Sequence, residues 1–462
     1  LQGNILEAAK YYQYFINQGF KNHIIFFNYG VILQGLGKLQ EAEISYHKAI
    51  EIKSDFVKAH LNIGTILKDL GKLQEAENFY RKAISLNPHF AEAHYNLGNI
   101  LADLERTKEA FEYYLKAIEI NPTLSNIYNT ITRFLKDSDT SQLNRSKLKN
   151  ILNLLLERND VRHNELNKAF HFLYSNEIIK KLQRCESYFF QDNSLQLFIN
   201  DKLIIKALKK IVFRDIKFET LLSNLRKYIC DQIAENKKKI NYSELEFIIA
   251  LGEQCFLNEY VYSLTQEENT SINTIINRCI NRECNETNIS ILSCYYPLYK
   301  LLDQIPSLKS FYSSNKSCKE LMILQISEPL REINLSKNIK KLGTINDNIS
   351  KKVKSQYEKN PYPRWRDGNP FKEQKFSINQ VINNEIRPNS INLNSDKRRL
   401  KVLIAGCGTG SQILQAQRYK NAQVTAIDLS SSSLSYAQRK INELGIDNIE
   451  LIQMDILEVN LL

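Results

Sequence analysis

A repeat of thirty-four residues is the feature that most restricts how this chain folds. Four kinds of position recur at that interval through three copies: Gly30, Gly64 and Gly98; Ala42, Ala76 and Ala110; Tyr46, Tyr80 and Tyr114; and Ala49, Ala83 and Ala117. The small residues let two antiparallel helices cross closely, and the tyrosine fills the groove between them. Each helix pair buries its apolar face only against its neighbours, so the sequence predicts a helical solenoid.

This pattern resembles the tetratricopeptide repeat. The resemblance covers residues 1–124, with a partial copy at 1–22 and full copies at 23–56, 57–90 and 91–124. By the spacing, the chain is expected to begin inside a repeat, on its second helix. Beyond the third copy, Thr132 and Asn144 replace the small residues, so at most a degenerate helix is expected from Tyr128 to Lys136.

Asparagines stand in register through the copies, two residues before each glycine: Asn28, Asn62 and Asn96. In the repeats of O-linked sugar transferases, which these copies resemble, asparagines at this position line the concave surface and grip a peptide backbone. One amide offers donors and an acceptor and so matches a peptide unit. The resemblance therefore implies a protein or peptide partner on the concave surface. The alternative is that asparagine recurs because it is abundant in this chain.

Residues 125–335 predict a helical middle domain, because apolar residues recur at helical spacing and Gly252 is the only glycine between residues 123 and 296. Residues 336–397 then have the composition of a linker, rich in Asn, Ser, Lys and Pro. Within the linker lies the sequence QYEKNPYPRW, residues 356–365, which we call the strap. It is expected to pack its rings onto the following domain or to cap a pocket. A stacking site for single-stranded nucleic acid is a further alternative.

A glycine-rich turn opens the last part of the chain, residues 398–462. An apolar run of strand length leads into Gly406, Gly408 and Gly410, and a helix is expected from about Ser411 to Lys420. A second strand ends at Asp428, a second helix follows capping serines near 430, and a third strand leads to Asp455. This order predicts half of a doubly wound parallel sheet, whose ligands bind at the carboxyl ends of the strands.

The spacing G-x-G-x-G, followed by an acid at the end of the second strand, resembles class I S-adenosylmethionine-dependent methyltransferases. The resemblance implies that Gly406, Gly408 and Gly410 face the methionine moiety of S-adenosylmethionine, that Asp428 binds the ribose, and that Asp455 and Ile456 contact the adenine. The dinucleotide pattern G-x-G-x-x-G and the phosphate-binding pattern ending in G-K-[ST] are both missing, which disfavours a nicotinamide-dependent oxidoreductase.

One position departs from this family. Most members carry an acid two residues before the first glycine, where this chain has Ile404. The contact of that acid with the amino end of the cofactor is therefore in doubt, or another group supplies it. The strap, and the segment EQCFLNEYVY at residues 253–262, resemble parts of proteins that join such repeats to a methyltransferase.

Composition excludes several other classes. The net charge of +11 is spread along a Lys-rich chain, which argues against an electrostatic nucleic-acid surface. Eight cysteines without a C-x-x-C, and seven histidines that all lie in the first 171 residues, give no metal site, so buried thiols are expected. No apolar run approaches a membrane span and no signal peptide leads the chain, so the expected location is cytoplasmic.

Together these patterns predict a mainly α chain with a C-terminal α/β part. The leading interpretation is an S-adenosylmethionine-dependent methyltransferase whose repeats recruit a protein or peptide, with the methyl acceptor and any catalytic base unassigned. The alternative is a scaffold of repeats without enzymatic activity. Because the residues that choose acceptors in this family usually follow the fourth strand, we expect this chain to be a fragment that is inactive by itself.

Overall fold

The computed structural model describes residues 2–174, 193–237, 239–281, 283–359, 361, 364–367, 375–385 and 400–461. The chain divides into two compact units, Leu1–Lys147 and Leu148–Leu462. The strap residues Asn360, Tyr362 and Pro363 lie outside the described part. Across the residues that are described, no helix combines the length and apolar character needed to cross a membrane.

The first unit is a solenoid of paired helices. Its helices are α1 (Gln2–Asn17), α2 (His23–Gly35), α3 (Leu39–Ile52), α4 (Val57–Asp69), α5 (Leu73–Leu86), α6 (Ala91–Asp103), α7 (Thr107–Ile120) and α8 (Ile127–Asp137). The pairs α2–α3, α4–α5 and α6–α7 coincide with the three full copies predicted from the sequence, and α1 lies where the second helix of the partial copy is predicted. Helix α8 confirms the degenerate helix predicted after the third copy.

The predicted packing of glycine against tyrosine is confirmed in each repeat. A Cβ atom on Gly30 would lie 2.6 Å from Cε1 of Tyr46, and one on Gly64 would lie 2.7 Å from Cε1 of Tyr80. Both tyrosines are completely buried. Because real Cβ atoms do not approach other atoms so closely, the ring occupies the space that a side chain on the first helix would need.

The second unit begins with a long helical region. Its helices are α9 (Arg145–Glu157, which spans the boundary between the units), α10 (Asn167–Tyr174), α11 (Asn193–Ile199), α12 (Lys202–Lys210), α13 (Ile216–Ala234), α14 (Tyr242–Leu257), α15 (Gln266–Ile280), α16 (Glu286–Leu292), α17 (Lys316–Met322) and α18 (Glu328–Ser336). A π-helical turn, Ile323–Ser327, joins α17 to α18. Helix α14 is buried along nearly its whole length and packs on α12, α16 and α17.

A parallel sheet follows the helical region. Its strands are β1 (Lys340–Lys341), β2 (Leu400–Ala405), β3 (Ala422–Asp428) and β4 (Ile449–Gln453), in the order β1-β4-β3-β2. Helix α21 (Ser411–Ala416) joins β2 to β3, and α22 (Ser431–Leu444) joins β3 to β4. The predicted alternation of strands and helices is therefore confirmed. Helix α22 packs on the sheet over a core that includes Ala426, Leu434 and Leu451.

Two details differ from the sequence-based expectation. Helix α21 ends at Ala416 rather than near Lys420, because Phe376 pairs with the following segment: its N–H donates to the carbonyl of Arg418 (2.7 Å) and its carbonyl accepts from Lys420 (2.8 Å). In addition, the predicted linker contains regular structure: strand β1, helix α19 (Asn348–Lys359) and helix α20 (Ile378–Glu385). Both α18 and α19 pack on α22.

Candidate functional site

The glycine-rich turn lies between β2 and α21 and is held in a left-handed backbone conformation. Gly406, Gly408 and Gly410 have φ angles of +68°, +51° and +87°, which side chains other than glycine adopt only at a cost. A Cβ on Gly406 or Gly408 would meet nothing within 4 Å, whereas a Cβ on Gly410 would lie 2.8 Å from the Cβ of Ala437 in α22. The first two glycines therefore border open space, and the third permits close packing of the turn on α22.

Asp428 is the last residue of β3, and its carboxylate joins two loops. Oδ2 accepts a hydrogen bond from the backbone N–H of Gly408 (2.8 Å), and Oδ1 accepts one from the N–H of Ser430 (2.9 Å). Burial raises the pKa of Asp428 above its ordinary value, and the hydrogen bonds from the backbone oppose this shift. Asp428, the residue predicted to bind ribose, is therefore in direct contact with the glycine turn.

Asp455 and Ile456 follow β4 at the same edge of the sheet. The N–H of Met454 donates to the carbonyl of Asp428 (3.1 Å), which places the segment after β4 beside the end of β3. Asp455 is buried, and its Oδ1 accepts from the N–H of Leu457 (3.1 Å). Ile456 exposes 53% of its surface. Ile456 therefore has an exposed apolar side chain, while Asp455 caps its own turn.

Ile404 occupies the position where the resemblance expects an acid. Its side chain packs against the apolar cluster between the sheet and α22, which includes Ile413 and Leu434. Ile404 is partly buried in this chain, and a carboxylate placed there would lie against apolar side chains, which is unfavourable for a charge.

The strap supplies a carboxylate that sequence reasoning missed. Glu358 in α19 accepts hydrogen bonds from the backbone N–H groups of Ser431 (2.8 Å) and Ser432 (3.0 Å) and from both of their hydroxyls. Burial opposes ionisation of Glu358, but these hydrogen bonds outweigh it and hold its pKa below the ordinary value. Since Ser430 caps the N–H of Ser433 (3.1 Å), the first three N–H groups of α22 are all satisfied.

Trp365 packs onto the glycine-rich turn. Its indole Nε1–H donates to the backbone carbonyl of Thr409 (3.0 Å), and its ring lies edge-on to that of Tyr436 at 6.3 Å. The expected packing of the strap on the following domain is therefore confirmed for this residue. The sequence offered one signal for it, because this is the only tryptophan in the chain.

The arginines on either side of Trp365 bind carboxylates of the helical region. Arg364 Nε donates to Glu259 Oε1 (2.6 Å), and Arg366 pairs with Glu253, which has no exposed surface. Both carboxylates belong to the segment 253–262, to which the sequence assigned no role. Its contribution is structural: it holds the strap.

A charged cluster centred on a buried arginine lies between α18 and α22. Arg439 pairs with Glu332 (2.8 Å), Glu328 (3.0 Å) and Glu443 (2.6 Å), and its side chain is 3% exposed. Burial raises the pKa of Glu328, and the charge of Arg439 opposes this shift. Glu332 also faces Arg364 at 3.7 Å, so the cluster is continuous with the strap.

The repeat asparagines lie in the first unit and form regular contacts there. Asn28 Nδ2 donates to the hydroxyl of Tyr12 (3.1 Å), and Asn62 Nδ2 donates to the hydroxyl of Tyr46 (3.0 Å). Burial raises the pKa of Tyr46 to about 12, while the hydrogen bond from Asn62 opposes the shift. Asn96, like the other two, is half-buried. The first two amides are thus oriented by the tyrosine of the preceding repeat, and each retains a carbonyl oxygen and a second N–H.

Comparison with known proteins identifies the same two parts of the chain. Residues 402–462 match a family model described as a methyltransferase domain. Residues 24–56, 64–105 and 91–124 match models of the tetratricopeptide repeat.

A curated relative, N-methyltransferase 4 of Papaver somniferum, is 31% identical over 91 residues, which are 19% of this chain and 24% of that protein. The chain therefore spans about a quarter of the length of this relative.

Solved structures with detectable similarity include three repeat proteins. YrrB, described as a repeat protein with an unusual peptide-binding site, is 19% identical over 44% of this chain and 99% of its own, with a TM-score of 0.32. MamA is 20% identical over 38% and 91%, with a TM-score of 0.29. The first repeat domain of Spaghetti (RPAP3), bound to an HSP90 peptide, is 21% identical over 24% and 90%, with a TM-score of 0.24. By the family models, residues 24–124 of this chain are tetratricopeptide repeats, and residues 402–462 belong to a methyltransferase domain.

Proposed function

We propose that this protein is an S-adenosylmethionine-dependent methyltransferase whose repeats recruit a protein or peptide. The observation that carries the proposal is the Asp428 carboxylate, which stands at the end of β3 and touches the glycine turn through the N–H of Gly408. The open space beside Gly406 and Gly408 suits a ligand that approaches the backbone closely.

In this proposal each group of residues has one task. The glycine turn receives the methionine moiety, Asp428 accepts hydrogen bonds from the ribose hydroxyls, and Asp455 with Ile456 borders the adenine. When bound, S-adenosylmethionine supplies an activated methyl group for an oxygen, nitrogen or carbon nucleophile. The protein contributes orientation, because holding the acceptor in line with that methyl group converts a bimolecular step into an effectively unimolecular one.

Replacing Asp428 with alanine tests cofactor binding. We expect the Kd for S-adenosylmethionine to rise about 100-fold, since two charge-assisted hydrogen bonds of about 1.5 kcal/mol each are lost. Isothermal titration of the wild type and the variant measures the change, with NAD as the control ligand. The matched control is Asp447→Ala, which removes an exposed carboxylate of the same domain and should bind normally. Full affinity in Asp428→Ala would count against this proposal.

Recruitment of a peptide is proposed from the asparagines of the repeats. Because Asn62 is oriented by Tyr46, its remaining amide groups are presented at a repeated position from one helix pair to the next. Such an arrangement suits an extended backbone, whose peptide units also repeat, and makes few demands on the side chains of the partner.

The double substitution Asn62→Ala, Asn96→Ala is expected to weaken peptide binding about tenfold, since it removes two hydrogen-bonding amides. Suitable probes are peptides that the wild-type chain selects from a random display library, with binding followed by fluorescence polarisation. Asn78→Ala, an exposed asparagine on α5, serves as the control. Unchanged binding by the double variant would remove the asparagines from the proposed interface.

A scaffold without enzymatic activity is the competing function, and the regular orientation of Asn28 and Asn62 is compatible with it. The two functions are separated by the titration described above. If the full-length protein binds peptide but shows no heat of binding with S-adenosylmethionine, the scaffold is supported; if it binds both, the proposed enzyme is supported.

A further inference from the structure

One peptide unit of the glycine turn is held from both sides. The carbonyl of Thr409 accepts from the indole Nε1–H of Trp365 (3.0 Å), and the N–H of Gly410, in the same peptide unit, donates to the carbonyl of Cys407 (2.9 Å). Because a peptide unit is planar, fixing its two polar groups fixes its orientation. The turn has left-handed residues on both sides of this unit, so its shape depends strongly on that orientation.

Trp365 is itself anchored by α22. Its backbone N–H donates to the hydroxyl of Tyr436 (3.0 Å), and that hydroxyl donates to the carbonyl of Trp365 (2.5 Å). Lys440 Nζ lies 5.2 Å from the centre of the indole ring and donates to the carbonyl of Arg366 (2.7 Å). The indole therefore has little freedom to leave the turn.

The residues beside Trp365 carry this constraint into the helical region. Arg364 lies 4.5 Å from the ring centre of Phe256 and pairs with Glu259, while Arg366 also donates to the carbonyl of Lys209 (3.1 Å). Arg364 is 9% exposed, so its ion pair is largely shielded from water. The glycine turn is thus connected through three consecutive residues to α12 and α14.

We propose that Trp365 is a positioning residue, which holds the glycine turn in its binding conformation and couples that conformation to the helical middle domain. Its role toward the cofactor rests on the proposed function. A turn that is already ordered loses less conformational entropy when a ligand binds, so the indole hydrogen bond contributes to affinity without touching the ligand.

The substitution Trp365→Phe tests this role, because phenylalanine keeps an aromatic ring and removes the N–H donor. In the chain without ligand, we expect backbone amides of residues 406–410 to exchange with deuterium about tenfold faster, while exchange in the repeats is unchanged. The Kd for S-adenosylmethionine is expected to rise about threefold to tenfold. Tyr357→Phe, in the same strap but 37% exposed, is the control and should alter neither quantity.

A second variant keeps the test decisive if Trp365→Phe folds poorly. Tyr436→Phe preserves the buried ring and removes the hydroxyl that holds the backbone of Trp365. It should accelerate exchange in the same turn and shift the fluorescence of Trp365, the only tryptophan in the sequence.

The outcomes separate this inference from the proposed function. Faster exchange confined to the turn supports the positioning role, and a simultaneous loss of affinity supports its link to the cofactor. Unchanged exchange in the turn, or an increase spread evenly over the whole chain, overturns the positioning role. If the wild type binds no S-adenosylmethionine, the proposed function fails, and the exchange measurements still decide whether Trp365 holds the turn.

Discussion

Replacing Arg439 with methionine is expected to lower the free energy of unfolding of the second unit by about 3–5 kcal/mol. The guanidinium group is almost completely buried and pairs with Glu332, Glu328 and Glu443. Methionine fills a similar volume, so the loss comes from the carboxylates. Glu332 is buried and keeps only the longer contact with Arg364 (3.7 Å), and Glu328, which is partly buried, loses its ion pair with Arg439. Urea unfolding followed by circular dichroism measures the change. Arg331→Met, an exposed arginine on α18, is the matched control and should have little effect.

The same variant should have a recognisable pH dependence. Burial already raises the pKa of Glu328, and without Arg439 to oppose it that pKa should rise further. An acid with a raised pKa in the folded state binds its proton more tightly there than in the unfolded chain, so the folded state loses stability as the pH rises through that interval. The difference from wild type should therefore be largest near neutral pH and shrink on acidification. A deficit below about 1 kcal/mol at pH 7 would show that the cluster is not stabilised by its arginine.

Alanine substitutions at Gly408 and Gly410 are expected to separate binding from folding. Both residues have positive φ, which costs an alanine about 1 kcal/mol. At Gly410 the new methyl group would also lie 2.8 Å from the Cβ of Ala437, and such overpacking adds about 1–3 kcal/mol. Gly410→Ala should therefore destabilise the fold clearly more than Gly408→Ala does.

For cofactor binding, by contrast, Gly408→Ala should have the larger effect. The methyl group of Gly408→Ala would point into open space beside the turn, where the proposed ligand approaches. We expect this variant to fold nearly normally and to bind S-adenosylmethionine at least about tenfold more weakly, because a methyl group there costs at least the overpacking energy. Urea unfolding and isothermal titration on both proteins measure the two effects. Equal stability losses, or normal binding by Gly408→Ala, would contradict this assignment of roles.

The repeats could be predicted closely from sequence because their determinants are local. Each glycine contacts the tyrosine sixteen residues later, as Gly30 contacts Tyr46. The residues that determine the packing of the two helices therefore lie within one copy of the repeat. The strands and glycine turn of the last region were likewise predictable, since β2, β3 and β4 are largely apolar runs with a glycine or an aspartate at their end or within two residues of it.

The surroundings of the turn were harder to predict because they depend on partners distant in sequence. Glu358 reaches Ser431 across 73 residues, and Arg366 reaches Glu253 across 113. Charged residues in a segment rich in Lys and Asn indicate a solvated linker. The local sequence pattern does not distinguish a charged residue in a buried ion pair from one in an exposed ion pair. For the same reason β1, which consists of two lysines, has no strand signal of its own.

Strand β1 has a consequence for the order in which the molecule assembles. Lys340 sits beside β4 and contacts Glu450, 110 residues later in the chain, whereas each repeat closes on contacts within itself and its neighbour. Pairings between residues distant in sequence form slowly, because the entropy of closing a long loop is lost before the stabilising contacts form. During synthesis the repeats can therefore become compact while they leave the ribosome, but the outer strand of the sheet has no partner until β4 has emerged. Helices α18 and α19 likewise lack the helix on which they pack until α22 has emerged, so this stretch of the nascent chain stays incompletely packed for longer than the repeats do.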